Sequence, residues 1–181
     1  MKEFEIRFSG SGGQGLILVT RILATALVEK GMKIAQSQSY EPTSRGGLSR
    51  SDLVASMETV DYPLASSLDY LLILDEVAVE VSGEVIGEGC LVLADSDRVS
   101  SKPEGKYSLY TLPLVSTADK LGSRRVANLV ALGALAGLGS FCDQDALEMA
   151  TRFHAPKGFL DLNLDALRAG YELSIEAPRI A

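Results

Sequence analysis

The chain has 181 residues, 46% hydrophobic and 23% charged, with a formal net charge of −7. Those proportions exclude a disordered or repetitive polymer and leave enough apolar material for a core, while the acidic excess argues against general nucleic-acid binding. Two cysteines, Cys90 and Cys142, exclude a disulfide scaffold and a four-thiolate cluster, and their apolar neighbours mark them as buried free thiols. Met1-Lys2-Glu3-Phe4 leads straight into a strand pattern without a signal peptide, and the most apolar later run, 126–138, is too short to span a bilayer. A cytoplasmic protein of one domain, 1–181, is expected, with no membrane and no nucleic-acid partner.

Residues 2–8 alternate, with Phe4, Ile6 and Phe8 on one side and Glu3, Glu5 and Arg7 on the other, which predicts a strand with one buried face. Gly10, Gly12, Gly13 and Gly15 then interrupt the pattern, and from Gln14 to Lys30 the period is helical, with Gly31 placed to end the helix. The spacing Gly10-x-Gly12-x-x-Gly15 matches the dinucleotide fingerprint. A helix start leaves free N–H groups and about half a positive charge at such a loop. The first acid on this helix is Glu29, so an outside anion meets no competitor. The same glycines are equally compatible with close helix–strand packing and no ligand.

The next strand, 33–39, ends without the Asp or Glu that a Rossmann site places against the ribose hydroxyls, which argues against NAD. The loop after it, through Pro42, Arg45, Gly46 and Gly47, has turn chemistry throughout. In a right-handed strand–helix–strand unit it shares the sheet edge with the first glycine loop, and Arg45 there reads either as an exposed arginine of a flexible loop or as a guanidinium fork offered to phosphate or carboxylate. Residues 1–50 hold seven Lys/Arg against four Asp/Glu, so +3, leaving −10 for the remainder. The glycine loop therefore belongs to the one basic third of an acidic chain.

Residues 49–57 alternate without a clean apolar face and read as an edge strand. Residues 67–75 and 89–95 are apolar runs ending in Asp75 and Asp95, as buried strands would be, and acids at such ends usually cap the following turn. Between them 76–82 is a short helix candidate, and 106–112 is a further strand. Helices are predicted over 116–121, 124–138, 143–153 and 163–175, the third capped by Asp143. Ala127, Val130, Ala131, Ala134, Leu135 and Leu138 form one apolar stripe, and Gly133 and Gly137 let a neighbour approach closely. Arg124 and Arg125 oppose the dipole of their helix, so a nearby acid should offset them. His154, the single histidine, has no visible catalytic companion and reads as a surface or capping residue.

Three segments together resemble the gamma subunit of 2-oxoacid:ferredoxin oxidoreductases. They are Gly10-Ser11-Gly12-Gly13-Gln14-Gly15; Gln38-Ser39-Tyr40-Glu41-Pro42-Thr43-Ser44-Arg45-Gly46-Gly47 with Ser49-Arg50-Ser51-Asp52; and Arg125-Val126-Ala127-Asn128. The likeness runs to Asn163-Leu164 and Gly170-Tyr171-Glu172, and Arg-Gly-Gly followed by Ser-Arg-Ser-Asp is most similar to the 2-oxoglutarate type. Ser11 stands where relatives tend to have an aromatic, and Asp75-Glu76 departs from the polar, often Gln-containing end of that strand.

The resemblance implies an α/β fold, a three-layer sandwich with a largely parallel or mixed central sheet and helices on both faces, Rossmann-like and similar to the gamma domain of pyruvate:ferredoxin oxidoreductase. It implies a CoA-dependent oxidative decarboxylation of a 2-oxoacid, in which thiamine diphosphate attacks the keto carbon and electrons leave through iron–sulfur clusters to ferredoxin. Two cysteines 52 positions apart and the lack of a thiamine-type diphosphate motif put thiamine diphosphate, Mg and the clusters on partner chains. Those partners would be alpha and beta thiamine-binding subunits and a ferredoxin-like delta subunit, with external ferredoxin as acceptor, and the isolated chain would be inactive. Gly10, Gly12, Gly13, Gln14, Gly15, Arg45, Gly46, Gly47, Arg125 and Asn128 are the candidate residues for holding CoA; no catalytic or metal-binding residue is expected. A stand-alone nucleotide-binding protein and a pure structural scaffold remain as alternatives.

Overall fold

The computed structural model describes residues 3–40, 46–60, 62–156 and 158–177. Among them six strands, β1 (Glu3–Ser11), β2 (Lys33–Tyr40), β3 (Leu48–Ser56), β4 (Leu68–Ile73), β5 (Ile86–Asp95) and β6 (Tyr107–Leu112), form one mixed sheet in the order β2-β3-β1-β4-β5-β6. The pairs β1–β4, β4–β5 and β5–β6 are parallel, whereas β3 runs against both β1 and β2. Five strands thus point one way, and their C-terminal ends share an edge.

The edge-strand expectation for 49–57 is corrected. β3 is interior, between β1 and β2, and its residues from Ser51 to Ser56 are all buried. The alternation misleads because its charged member is partnered across the sheet. Asp52 accepts bonds from Arg7 Nε and Nη2, each at 2.7 Å, with both residues 4% exposed. A buried charge is tolerated when it is paired and hydrogen-bonded in this way.

The α-helices α1 (Leu16–Glu29), α2 (Leu114–Lys120), α3 (Ala127–Gly139), α4 (Gln144–His154) and α5 (Leu160–Glu176) add their apolar faces to one core cluster with Phe4, Ile6, Phe8, Leu53, Leu72 and Leu93 of the sheet. The opposite face, with Leu71, Ile73, Val92 and Ala94, is covered by Ala78 of the 3₁₀ turn Glu76–Ala78 and by Val79, which joins that turn to a second one, Glu80–Val85. The expected three layers are present but unequal: α-helices fill one face and short turns the other. Length explains this, since β4 and β5 are joined by only a dozen residues.

The glycines of α3 act as foreseen, and α5 is the neighbour they admit. A Cβ on Gly133 would fall on the Leu167 carbonyl, and one on Gly170 on the Val130 carbonyl. Residues 127–136 of α3 are buried on every side, as suits a helix apolar all round. Asp143 does flank α4, but its side chain does not cap that helix; it pairs with Lys30 at the end of α1 instead. Among the described residues no helix is long and apolar enough to cross a membrane.

Candidate functional site

The site lies on the edge where the five co-directional strands end. β1 runs into Gly12 and Gly13, and α1 begins after Gly15, whose φ of 73° belongs to the left-handed region glycine tolerates. The loop is braced from inside. Gln14 turns back so that its Oε1 accepts the Ser11 N–H at 2.7 Å, while its Nε2 donates to the Leu74 carbonyl at 3.1 Å. Gly12 N–H donates to the Gly47 carbonyl at 2.9 Å, joining the two loops as the strand–helix–strand argument required. Asn128, at the start of α3 and 3% exposed, donates from Nδ2 to the Gly15 carbonyl at 3.1 Å and accepts the Leu129 N–H on Oδ1.

Two clefts open beside this loop and share Arg98, Val115 and Arg124. One, of about 220 Å³, is completed by Gly13, Gln14, Leu74, Arg125, Ala127 and Asn128. The other, of about 420 Å³, is completed by Asp75, Asp97, Ser116 and Asp119. Gly13 and Gln14 line the smaller cleft just ahead of α1, whose first turn carries no acid. Arg98 forms an ion pair with Asp75 at 2.7 Å, and Arg124 pairs with Asp119 at 2.8 Å, the acid that the opposed dipole called for. Arg125 is exposed and forms no ion pair with any described residue. Charge, donors and an uncompensated guanidinium therefore converge where an anion would sit.

Asp75 and Asp95 cap as anticipated. Asp75 Oδ1 accepts the Val77 N–H at 3.4 Å, and Asp95 Oδ1 accepts the Leu114 and Val115 N–H groups at the head of α2. Burial holds the Asp95 carboxyl above its usual range. The sequence reading missed Arg98 and did not assign Arg124 to the site. Arg98 sits in a turn after β5, and nothing in its neighbours shows that the turn folds over the β1 loop. Of the arginines lining the clefts, Arg98 and Arg124 are paired with Asp75 and Asp119, which leaves Arg125 as the unpaired one; of the first 50 residues, Arg7 is buried against Asp52 and Lys30 pairs with Asp143. Arg45 lies outside the described residues.

The family model described as pyruvate ferredoxin/flavodoxin oxidoreductase matches residues 5–173. The chain belongs to that family. Its likeness to the 2-oxoglutarate synthase subunit KorC of Methanocaldococcus jannaschii is 40% identity over 176 residues, covering 95% of this chain and 94% of the relative. The gamma subunit of a keto/oxoacid ferredoxin oxidoreductase from Geobacter sulfurreducens superposes with a TM-score of 0.88 at 38% identity, covering 99% of this chain and all of that one. A 2-oxoglutarate:ferredoxin oxidoreductase from Magnetococcus marinus, with 2-oxoglutarate, coenzyme A and succinyl-CoA bound, shares the fold at a TM-score of 0.86 and 24% identity. There the match covers 99% of this chain but 32% of the larger one. This chain is thus a gamma subunit of a 2-oxoacid:ferredoxin oxidoreductase, and the resemblance carried by the three motifs is borne out.

The oxidoreductase gamma chain does not fit the redox cofactors of such a complex. Cys90 and Cys142 lie in the two core clusters on opposite faces of the sheet, and burial pushes their thiols up to about 12 and about 11. Among the described residues no group of three or more His, Cys, Asp or Glu could hold a metal ion. His154 ends α4 with Nε2 2.7 Å from Thr25 Oγ1, a contact between helices and away from the clefts. What the site offers instead is the exposed Arg125 on the lining of the smaller cleft.

Proposed function

We propose that this gamma subunit serves a 2-oxoglutarate-type complex and lends its arginine cleft to the phosphates of coenzyme A during CoA-dependent oxidative decarboxylation. The observation that carries this is the unpaired Arg125 on a cleft of about 220 Å³ that Gly13 and Gln14 also line, just ahead of the acid-free start of α1. Support for the substrate comes from the relative named as a 2-oxoglutarate synthase subunit. Thiamine diphosphate, Mg and the iron–sulfur clusters would sit on alpha, beta and delta partner subunits, with external ferredoxin taking the electrons. The complex would work in the cytoplasm, with residues 1–181 acting as one domain.

A scaffold reading has one observation in its favour: Gln14 and Asn128 spend their amides on bracing the loop. Gly12→Asp and Arg125→Ala in the reconstituted complex separate the two. A Cβ on Gly12 would stand 3.7 Å from the Gly47 carbonyl, an ordinary contact, so the carboxylate enters without breaking the loop. Arg125→Ala should raise the KM for CoA about tenfold, the loss of one charge-assisted contact, and Gly12→Asp by a similar factor through the like charge it sets beside the phosphates, while KM for the 2-oxoacid stays within twofold. Unchanged CoA kinetics in both would leave the scaffold reading standing.

A further inference from the structure

β4 leaves the sheet at Leu74, whose N–H donates to the Ser9 carbonyl at 2.9 Å, and the next residue is Asp75. Three donors meet on its Oδ2: Ser11 Oγ at 3.1 Å, Arg98 Nε at 3.1 Å and Arg98 Nη2 at 2.7 Å. One carboxylate therefore joins the glycine loop after β1, the end of β4 and the turn after β5. Arg98 comes from the far side of that junction. Its backbone N–H is tied to the Asp95 carbonyl at 3.4 Å, yet its side chain remains 46% exposed and lines both clefts. A guanidinium has five N–H donors, and Asp75 engages only Nε and one terminal nitrogen, so donors remain for a ligand.

We propose that Asp75 is a positioning residue, which holds Arg98 over the glycine loop with its remaining donors turned to the anion in the smaller cleft; this rests on the CoA reading given above. If Asp75 acted only through its charge, it would oppose a bound anion, and removing that charge would tighten binding. As a positioning group it spares the ligand the cost of ordering a long side chain, a gain of about three- to tenfold per immobilised chain.

The test uses the reconstituted complex. Asp75→Asn should raise the KM for CoA about three- to tenfold with kcat within twofold. Arg98→Ala should raise it at least as much, and Asp75→Asn combined with Arg98→Ala should be no worse than Arg98→Ala alone, because the two residues act as one unit. Should Asp75→Asn fail to assemble, Arg98→Lys keeps the charge, loses the fork and carries the same expectation. A KM that falls or stays level in Asp75→Asn, or additive losses in the double variant, overturns the positioning role. If Arg125→Ala raises the KM while Asp75→Asn does not, only this inference fails; if neither moves it, the CoA reading fails as well.

Discussion

A Cβ added to Gly10 would fall on the side-chain amide oxygen of Gln14. The first glycine of the motif is therefore needed to seat the glutamine that braces the loop, not to approach a ligand. Gln14 in turn satisfies the Ser11 N–H and the Leu74 carbonyl, two backbone groups that would otherwise lose this partner.

Gly10→Ala should accordingly push the Gln14 amide off the Ser11 N–H and the Leu74 carbonyl and destabilise the chain by about 1–3 kcal/mol. Gln14→Ala makes room but leaves two backbone groups without their partner, at about 1–3 kcal/mol. Combined, the two changes should cost clearly less than their sum, because the clash disappears with the side chain. Urea unfolding of the four chains measures the coupling, and strict additivity would show that Gly10 is dispensable to the brace.

The ion pair between Arg7 and Asp52 makes the second prediction. Removing one partner leaves the other charge buried among apolar strands, and Arg7→Met or Asp52→Leu alone should cost about 3–5 kcal/mol. Making both changes together replaces two desolvated charges by apolar groups and should restore most of that loss. Thermal unfolding of both single variants and the double variant distinguishes this from independent packing defects, in which case the double would be the worst of the three.

The third prediction concerns acid. Arg168, bonded to Glu148 at 2.7 and 2.8 Å, holds that carboxyl down to about 2 from an ordinary 4.5. Gln144 and Arg152 add to the effect, against the opposing influence of burial. Because the folded value is depressed, the stabilisation is fully present above about 4.5 and is lost as pH falls towards about 2. Glu148→Gln should be less stable than the parent at pH 7, with the gap closing over that window. A gap that stays constant down to pH 2 would mean that the contact between α4 and α5 is made by packing alone.

Much of the fold was written in short-range patterns. The period of two in β1, the switch to a helical period after Gln14, the acids ending the two buried strands and the small residues of α3 each report on neighbours within a few positions. Local sterics and hydrogen bonding decide those features, so they survive without knowledge of the rest. The glycine loop could be recognised as a strand-to-helix turn for the same reason, whereas the start of α3 was singled out through the family resemblance, and why Gly10 is needed was not legible.

Other features depend on which distant segments meet. The interior place of β3 comes from its pairing with both β1 and β2, which buries Asp52 against Arg7, 45 residues away; the place of Arg98 comes from Asp75, 23 residues away; Asp143 pairs with Lys30 rather than with its own helix. Alternation says that a residue is polar, not whether a partner will neutralise it, and the pairing is settled only when the strands order themselves and close the loops between them. Pattern along the chain determined which elements form, and packing between them decided which charges are buried, which are spent on one another and which, like Arg125, are left facing the cleft.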